Sequence, residues 1–530
     1  MNQALLLVAL FGGVIVSAIV ARRLRIPYPI AFVVIGLAFA FIPGMPAREL
    51  NPQLLFLVVL PPLLFSGGWN TDWYEFKRNF GAISTLAVGL VLFTTVVVAV
   101  LARKIGGFDW STAFVLGAIV SPPDAVAAEA IFERMAVPRR IVAILTGEGL
   151  VNDGTALVIY RFAVAAAVSG VFSLMNASIA FVLNVALGIA FGLLVAVILE
   201  FLLNLLTRFD VDDPSVAIVV SLLAPYAAYL PADAIGVSGV LAAVAAGIYA
   251  SRRSQAIFTP EQRVIASAVW RVMLLLLNGV VFLQIGLILP RIVRSLGASI
   301  GTYLWLATAV SIAVIAVRFA WVYPVGRLRR LIPAVAKRDP MPSWQQVLVI
   351  DWSGMRGIVS LAAALALPFR NAAGAPLGGR SEVIFITLCV IVVTLLLHGL
   401  TLGPLIAWLG ISETSTRQGQ EMAIRVKALQ EGLDYLRSIE PSLTTPGELE
   451  AAGRLLGEYQ RRIEHLQGHL DEKEEMREIE DDREADRRLE LAALDAERRE
   501  IARLRSRGEI PDDIYQSIEY DLDLAGLQLH

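Results

Sequence analysis

Three runs of this sequence place charged side chains among residues that are otherwise mostly Val, Ala, Leu, Ile and Gly. V-L-G-A-I-V-S-P-P-D-A-V-A-A holds Asp124, with Glu129 just beyond it. L-T-G-E-G-L-V-N-D-G-T-A-L-V-I-Y holds Glu148, Asn152 and Asp153, and D-W-S-G-M-R-G-I-V-S holds Asp351 and Arg356. Each run lies in a stretch apolar enough to cross a bilayer. An ionised group at mid-depth there costs on the order of 3 kcal/mol or more and faces protein or a wet cavity. Acids and a base at that depth can neutralise each other, cap a broken helix, or bind and release a cation or proton.

Spacing distributes the residues among those tasks. Glu148 and Asn152 are four apart and share a helix face, whereas Asp153 points roughly 140° away from Glu148. Gly149 lies four before Asp153 and leaves space beside it. One acid is therefore placed to pair with a buried base, and the other faces open space. Arg356, flanked by Gly354 and Gly357, is the most central base by position. A buried arginine needs an anionic partner, so Glu148 is expected to pair with Arg356, supported by Asn152. Arg161, Arg271 and Arg318 are read as lying near span ends or snorkelling. Pro122 and Pro123 break their helix near Ser121–Asp124 and orphan backbone carbonyls and amides on either side. Asp124 then suits the positive start of a second half-helix. The plainer alternatives are a proline kink capped by Asp124 and a structural polar contact along the Glu148 helix.

Asp153, left without a partner, can hold a proton or a hard monovalent cation, but it is not cheaply left empty. Competition between those two guests at one carboxylate is sufficient for exchange, one proton per cation, with no net charge moved. Histidine does not carry this work, because the chain has four and only His398 falls in a span.

Positioning these groups takes an all-α polytopic membrane body. Of 530 residues, 56% are hydrophobic and 17% charged, with a mean hydropathy of +0.66. Soluble domains carry about a quarter charged residues. Residues 1–410 hold 18 acids and 28 bases, and residues 411–530 hold 29 acids and 17 bases. A basic apolar body with an acidic tail excludes a soluble enzyme, a nucleic-acid binder and a disordered chain. The single cysteine, Cys389, excludes an intrachain disulfide framework. Thirteen runs approach spanning length: roughly 3–21, 28–43, 52–67, 80–102, 109–131, 138–168, 173–206, 214–230, 235–250, 264–289, 297–324, 343–368 and 381–410. The first has its bases after it and reads as an uncleaved span. Loops on the side of the C-terminus carry 17 Lys and Arg against 7 on the other side. That puts the N-terminus outside and the tail in the cytoplasm of a cell-membrane protein. Spans one and eight enter from opposite sides, so the fifth and twelfth correspond, and both are broken. This predicts inverted-topology repeats (spans 1–6 and 8–13) with a midplane ion site. The tail, 411–530, reads as helical and regulatory. Leu449, Leu456, Ile463 and Leu470, with Ala452, Tyr459 and Leu466 between them, repeat in heptads suited to a two-helix contact, and Pro441, Pro446 and Pro511 interrupt it.

S-P-P-D-A-V-A, T-G-E-G-L-V-N-D-G-T-A-L-V-I-Y-R-F and the later G-M-R-G resemble the cation:proton antiporter family of the Asn–Asp type, which includes bacterial sodium/proton antiporters and animal sodium/proton exchangers. L-P-P-L-L-F-S-G-G-W-N followed by F-K-R-N-F-G is similar to the same family. The resemblance covers about residues 1–410. It implies a homodimer whose six-helix core moves like an elevator, with no cofactor and with Na+, K+ or Li+ and protons as substrates. It implies that Asp153 carries the cation or proton with Asn152 in support, that Glu148 and Arg356 form a structural ion pair, and that Asp124 stabilises crossing broken helices. Many relatives have Ser in place of Gly149 and a hydroxyl residue in place of Pro123, and some have Glu in place of Ser66. Here backbone carbonyls, Ser121, Ser66, Thr155 or water would have to supply the oxygens that a hard cation wants.

Na+/H+ exchange is thus the expected function, with K+/H+ exchange as its variant. Proton-coupled symport of an organic solute would want a basic pocket. An intramembrane aspartyl protease using Asp124 and Asp153 would want G-x-G-D, whereas this chain has V-N-D-G. A membrane sensor signalling through its tail is the remaining class.

Overall fold

The computed structural model describes residues 3–24, 26–42, 52–124, 137–169, 174–209, 213–333, 342–370, 377–411 and 414–471, with isolated positions between 128 and 135, at 374–375 and between 493 and 522. The described structure is helical throughout, as a bilayer demands of backbone that must satisfy its own hydrogen bonds. The helices are α1 (Gln3–Leu24), α2 (Tyr28–Phe39), α3 (Pro52–Trp69), α4 (Trp73–Ser84), α5 (Val91–Gly106), α6 (Trp110–Val120), α7 (Arg139–Ser169), α8 (Leu174–Arg208), α9 (Pro214–Ala234), α10 (Gly239–Ile257), α11 (Pro260–Leu296), α12 (Ile300–Arg329), α13 (Trp344–Trp352), α14 (Ile358–Leu365), α15 (Arg380–Leu409), α16 (Thr414–Ile439) and α17 (Pro446–Asp471). Seven described helices, counting α4 through α5 as one, are long and apolar enough to cross a membrane, and three shorter apolar ones accompany them.

Local sequence sets where the helices start. Asp72, Asp109, Asp213 and Ser238 each accept a backbone N–H in the first turn of α4, α6, α9 and α10, and Thr259–Gln262 and Ser343–Gln346 form capping boxes at α11 and α13. The expected fourth span, 80–102, is part of a longer rod. A π-helical stretch, Thr85–Leu90, joins α4 to α5, and Trp321 donates its indole N–H to the Thr85 carbonyl there at 3.1 Å. The expected twelfth run, 343–368, is two half-helices, α13 and α14. The expected fifth is interrupted after Val120, and residues 125–127 of its continuation lie outside the described residues.

Within Met1–Ser412, one of two compact units, the helices fall into two packed groups. In the first, α11 lies on α2, and α10 lies on α3 and α8. Glycine permits the α2–α11 approach: a Cβ on Gly36 would sit 2.2 Å from the Leu283 carbonyl oxygen, and one on Gly286 would sit 2.2 Å from that of Val33. In the second group α5 packs on α6 and α12, α6 and α4 pack on α7, and α12 packs on α15. The groups meet where α3 touches α7 and α14, where α10 touches α7, and where α11 touches α15. The charged runs of the sequence lie at or behind this seam.

The second unit, Glu413–His530, contains the hairpin of α16 on α17. Val426, Leu433 and Ile463 are buried between the two helices, with Leu429, Leu456 and Tyr459 packed against them. The heptad seam is therefore used within the chain. Ala452, Leu456, Tyr459 and Ile463 face α16 or lie buried, whereas Leu449 is exposed. Pro441 sits in a 3-10 turn and Pro446 opens α17; Pro511 lies outside the described residues.

Candidate ion-translocation site

The site is built where two interrupted helices cross. α6 ends at Val120, and its last carbonyl has no intrahelical donor. The Arg356 Nε donates to that carbonyl at 2.7 Å, and Arg356 Nη1 donates to the Gly354 carbonyl at 2.7 Å. The Arg356 backbone N–H donates to Thr394 Oγ1 at 3.1 Å. α14 begins at Ile358, and its first N–H donates to Asp124 Oδ2 at 3.3 Å. Between these ends, the Asp124 N–H donates to the Met355 carbonyl at 2.7 Å, joining the two non-helical stretches directly. The arginine of one broken segment thus closes the negative end of the other's helix, and the aspartate of the second closes the positive end of the first. Only glycine fits between them: a Cβ on Gly357 would lie 1.5 Å from Asp124 Oδ2.

This arrangement revises two expectations. Asp124 caps α14 of the partner segment, and the stretch after it, 125–127, is outside the described residues. Arg356 is a helix-end cap and does not pair with Glu148. The partner of Glu148 is Arg318, through a bidentate contact at 2.6 and 2.7 Å, and Arg318 Nε also donates to the Ile350 carbonyl at 3.1 Å. Glu148 is 1% and Arg318 2% exposed, so Arg318 neither snorkels nor sits at a helix end. The expected span stopped at 324, but α12 runs through Pro324 to Arg329, which places Arg318 deep inside it. Asp351, also buried, lies within electrostatic reach of Arg318 and Glu148. Arg161 pairs with Asp233, and Arg271 is exposed.

On the other face of α7, Asp153 lines a cavity of about 160 Å³ together with Asp124, Ser66 and Gly149. Among the described residues Asp153 has no hydrogen-bond or ion-pair partner, and no Lys, Arg or His lines the cavity. Asn152 turns the other way. It is fully buried, its Nδ2 donates to the Pro123 carbonyl at 3.0 Å, and its Oδ1 is unpartnered. Asn152 thus holds the break in place one residue from the acid. Ser121 donates to the Ala118 carbonyl and Thr155 to the Val151 carbonyl. Both are buried outside the cavity lining. Of the expected ion-site residues, the structure brings Asp153, Asp124 and Ser66 to one space and leaves Asn152, Ser121 and Thr155 beside it.

Sequence reasoning did not assign Glu129, Thr146, Asn278 or Ser360, which also line the cavity. Glu129 was visible as a charge in an apolar run, and Thr146 lies seven before Asp153, hence on its face; Asn278 and Ser360 gave no local signal. No three metal-ligating side chains converge on a point among the described residues. A larger, mainly apolar cavity of about 530 Å³ adjoins this one and shares Ser66, Asn70 and Leu274 with it.

Residues 6–408 match the family model described as sodium/hydrogen exchanger, transmembrane. An uncharacterized Na+/H+ exchanger of Escherichia coli is 32% identical over 96% of this chain and 95% of its own. A sodium, potassium, lithium and rubidium/H+ antiporter of Bacillus pumilus is 35% identical over 72% of this chain and 58% of its own. The sodium proton antiporter MjNhaP1 of Methanocaldococcus jannaschii superposes with a TM-score of 0.59 at 17% identity, covering 77% of this chain and 99% of that one, and so shares the fold. With a matched region that takes in α7 and both broken segments, the chain belongs to the sodium/hydrogen exchanger family: it is a multi-pass membrane protein and a secondary transporter exchanging monovalent cations for protons, not an enzyme.

Proposed function

We propose that the protein exchanges Na+ for H+ one for one, with Asp153 as the carboxylate that holds each in turn. The observation that carries this reading is the contrast across α7. Glu148 is neutralised by Arg318, whereas Asp153 faces a cavity with no basic residue among its described lining. A carboxylate so placed is compensated only by what enters from solution, a cation or a proton. With Asp153 as the one exchanging acid, one charge enters for each that leaves, and the cycle moves no net charge.

K+ and Li+ are accepted beside Na+. Ser66, Gly149 and Pro123 leave the cavity without the tight set of side-chain oxygens that would select by size. The Bacillus relatives named for sodium, potassium, lithium and rubidium, at 35% and 33% identity, support that breadth. The charge asymmetry of the loops supports an outside N-terminus and a cytoplasmic tail, and the family resemblance supports a homodimer.

The test is transport in proteoliposomes holding an acid interior. A pulse of Na+, K+ or Li+ dissipates the gradient for the native protein, without a membrane potential developing. Asp153→Asn gives no dissipation with any cation while its thermal unfolding stays within a few degrees of native. Native-rate exchange by Asp153→Asn would overturn the assignment, and an unfolded Asp153→Asn would make the acid structural.

A further inference from the structure

The cavity that contains Asp153 extends along α7. Thr146, Gly149 and Asp153 follow at intervals of three and four, so they form one stripe on that helix, and all three line the cavity. Thr146 is seven residues before Asp153, two turns or about 10 Å along the axis. At that level Thr146 Oγ1 donates to Glu129 Oε1 at 2.7 Å. The cavity therefore has a carboxylate at each of two depths: Asp153, and Glu129 nearer the Arg139 end of α7. The third acid on its wall, Asp124, is engaged with the start of α14.

Two further features point to a ligand. Ser360 is 2% exposed, lines the cavity, and its hydroxyl has no partner. Asn278 also lines it, and its Oδ1 is unpartnered. Buried polar groups are normally satisfied, so a hydroxyl and an amide oxygen left open on a wall of acids are suited to a guest that attracts oxygen, namely a hard cation with part of its water. Because no three ligating side chains converge among the described residues, the acids do not form one cage. They form successive positions in a space whose described lining carries acids and no base, an arrangement that raises the local concentration of cations.

We propose that Glu129 is a second, transient station for the monovalent cation and its proton rival, between Asp153 and the membrane face at the Arg139 end of α7, with Thr146 as its positioning residue. This rests on Asp153 being the exchange site. Glu129 captures the cation and passes it on, so it sets how readily Asp153 is loaded from that face without altering how many ions each cycle carries. It supplies a carboxylate in a cavity where Ser66 and Gly149 supply little.

The test uses the full-length protein in oriented proteoliposomes, with Na+ or K+ titrated from each side in turn. Glu129→Gln raises the apparent KM for the cation about fivefold from the Arg139-end side, which is cytoplasmic in the charge reading. The KM from the opposite side and the maximal rate stay within twofold. Glu129→Asp restores most of the affinity. Thr146→Val leaves the charge but not its orientation, and gives about a twofold rise from the same side. A KM unchanged from both sides, a KM raised equally from both, or a fall in maximal rate alone overturns the station. Should Glu129→Gln not fold, Thr146→Val decides by the same criterion. Exchange that persists in Asp153→Asn sinks the reading beneath this one, whereas a silent Asp153→Asn beside a normal Glu129→Gln sinks only the station.

Discussion

α7 separates two groups of buried charge that obey opposite rules. On one face Glu148 meets Arg318 in a two-pronged contact with Asp351 close by, and Arg356 beyond them is tied to the Val120 and Gly354 carbonyls. Two acids and two bases balance there. On the other face Asp124, Glu129 and Asp153 share a cavity with no base among its described lining residues. The first group pairs Glu148 with Arg318 inside the protein, whereas Asp153 in the second has no partner among the described residues. In the proposed exchange, the charge that maintains the fold is compensated by protein, whereas the Asp153 charge is left for solution to compensate.

If that division is right, substitutions on the two faces fail differently. The largest loss of stability is expected from Arg318→Leu, which strands the Glu148 carboxylate. Breaking a buried pair by removing one partner costs about 3–5 kcal/mol. The double variant Glu148→Gln with Arg318→Leu recovers part of that, which thermal unfolding in detergent reads directly. Equal stability of Arg318→Leu and Asp153→Asn would erase the contrast. Next comes Gly357→Ala, whose methyl must displace the Asp124 carboxylate from the start of α14. Overpacking of this kind costs about 1–3 kcal/mol, and exchange falls with the melting temperature. Asn152→Ala removes the donor to the Pro123 carbonyl at the break and costs about 1–2 kcal/mol, with a reduced maximal rate.

The smallest effect sharpens the comparison from the solvent side. In the tail, Thr445 and Glu448 cap α17 reciprocally at 3.1 and 3.3 Å. The Thr445 hydroxyl, and then its backbone N–H, hold the Glu448 carboxyl below its ordinary value. A depressed carboxyl stabilises above its unfolded value and stops doing so as the pH falls through the folded one. The first turn of α17 should therefore fray only as the pH falls below the ordinary carboxylate range, and Glu448→Gln should remove that pH dependence. Amide exchange at 446–450 in the full chain is the measurement.

Much of this division was legible in the sequence, because helical geometry alone turns Glu148 and Asp153 away from each other. The break at Pro122–Pro123 and the weak centre between Gly354 and Gly357 were also visible, since proline and glycine act locally. The partner of Glu148 was not. Arg356 and Arg318 are both buried bases, and which of them reaches the acid depends on how α12 packs against α7 and α13, which no local pattern encodes. A misplaced helix end compounded the error, because ending a span at 324 moved Arg318 towards water. Glu129 shows the converse limit. Its charge was plain, but its place in the cavity emerged only from the fold, where Thr146 from another helix holds it. The hydroxyl of Ser360 gave no signal at all, since a serine among alanines is ordinary until its surroundings are known.

The reciprocal closure of the two broken segments restricts how the protein can move. Pulling α6 away from the Arg356 stretch, or α14 away from Asp124, would uncover a bare helix terminus in a medium that has no water to solvate it. The intersection is therefore built to hold together as one block, like a riveted joint. In the proposed exchange cycle, slippage is left to the boundary where α3 and α10 lie against α7 and α14, the surface that also borders the cavity of Asp153.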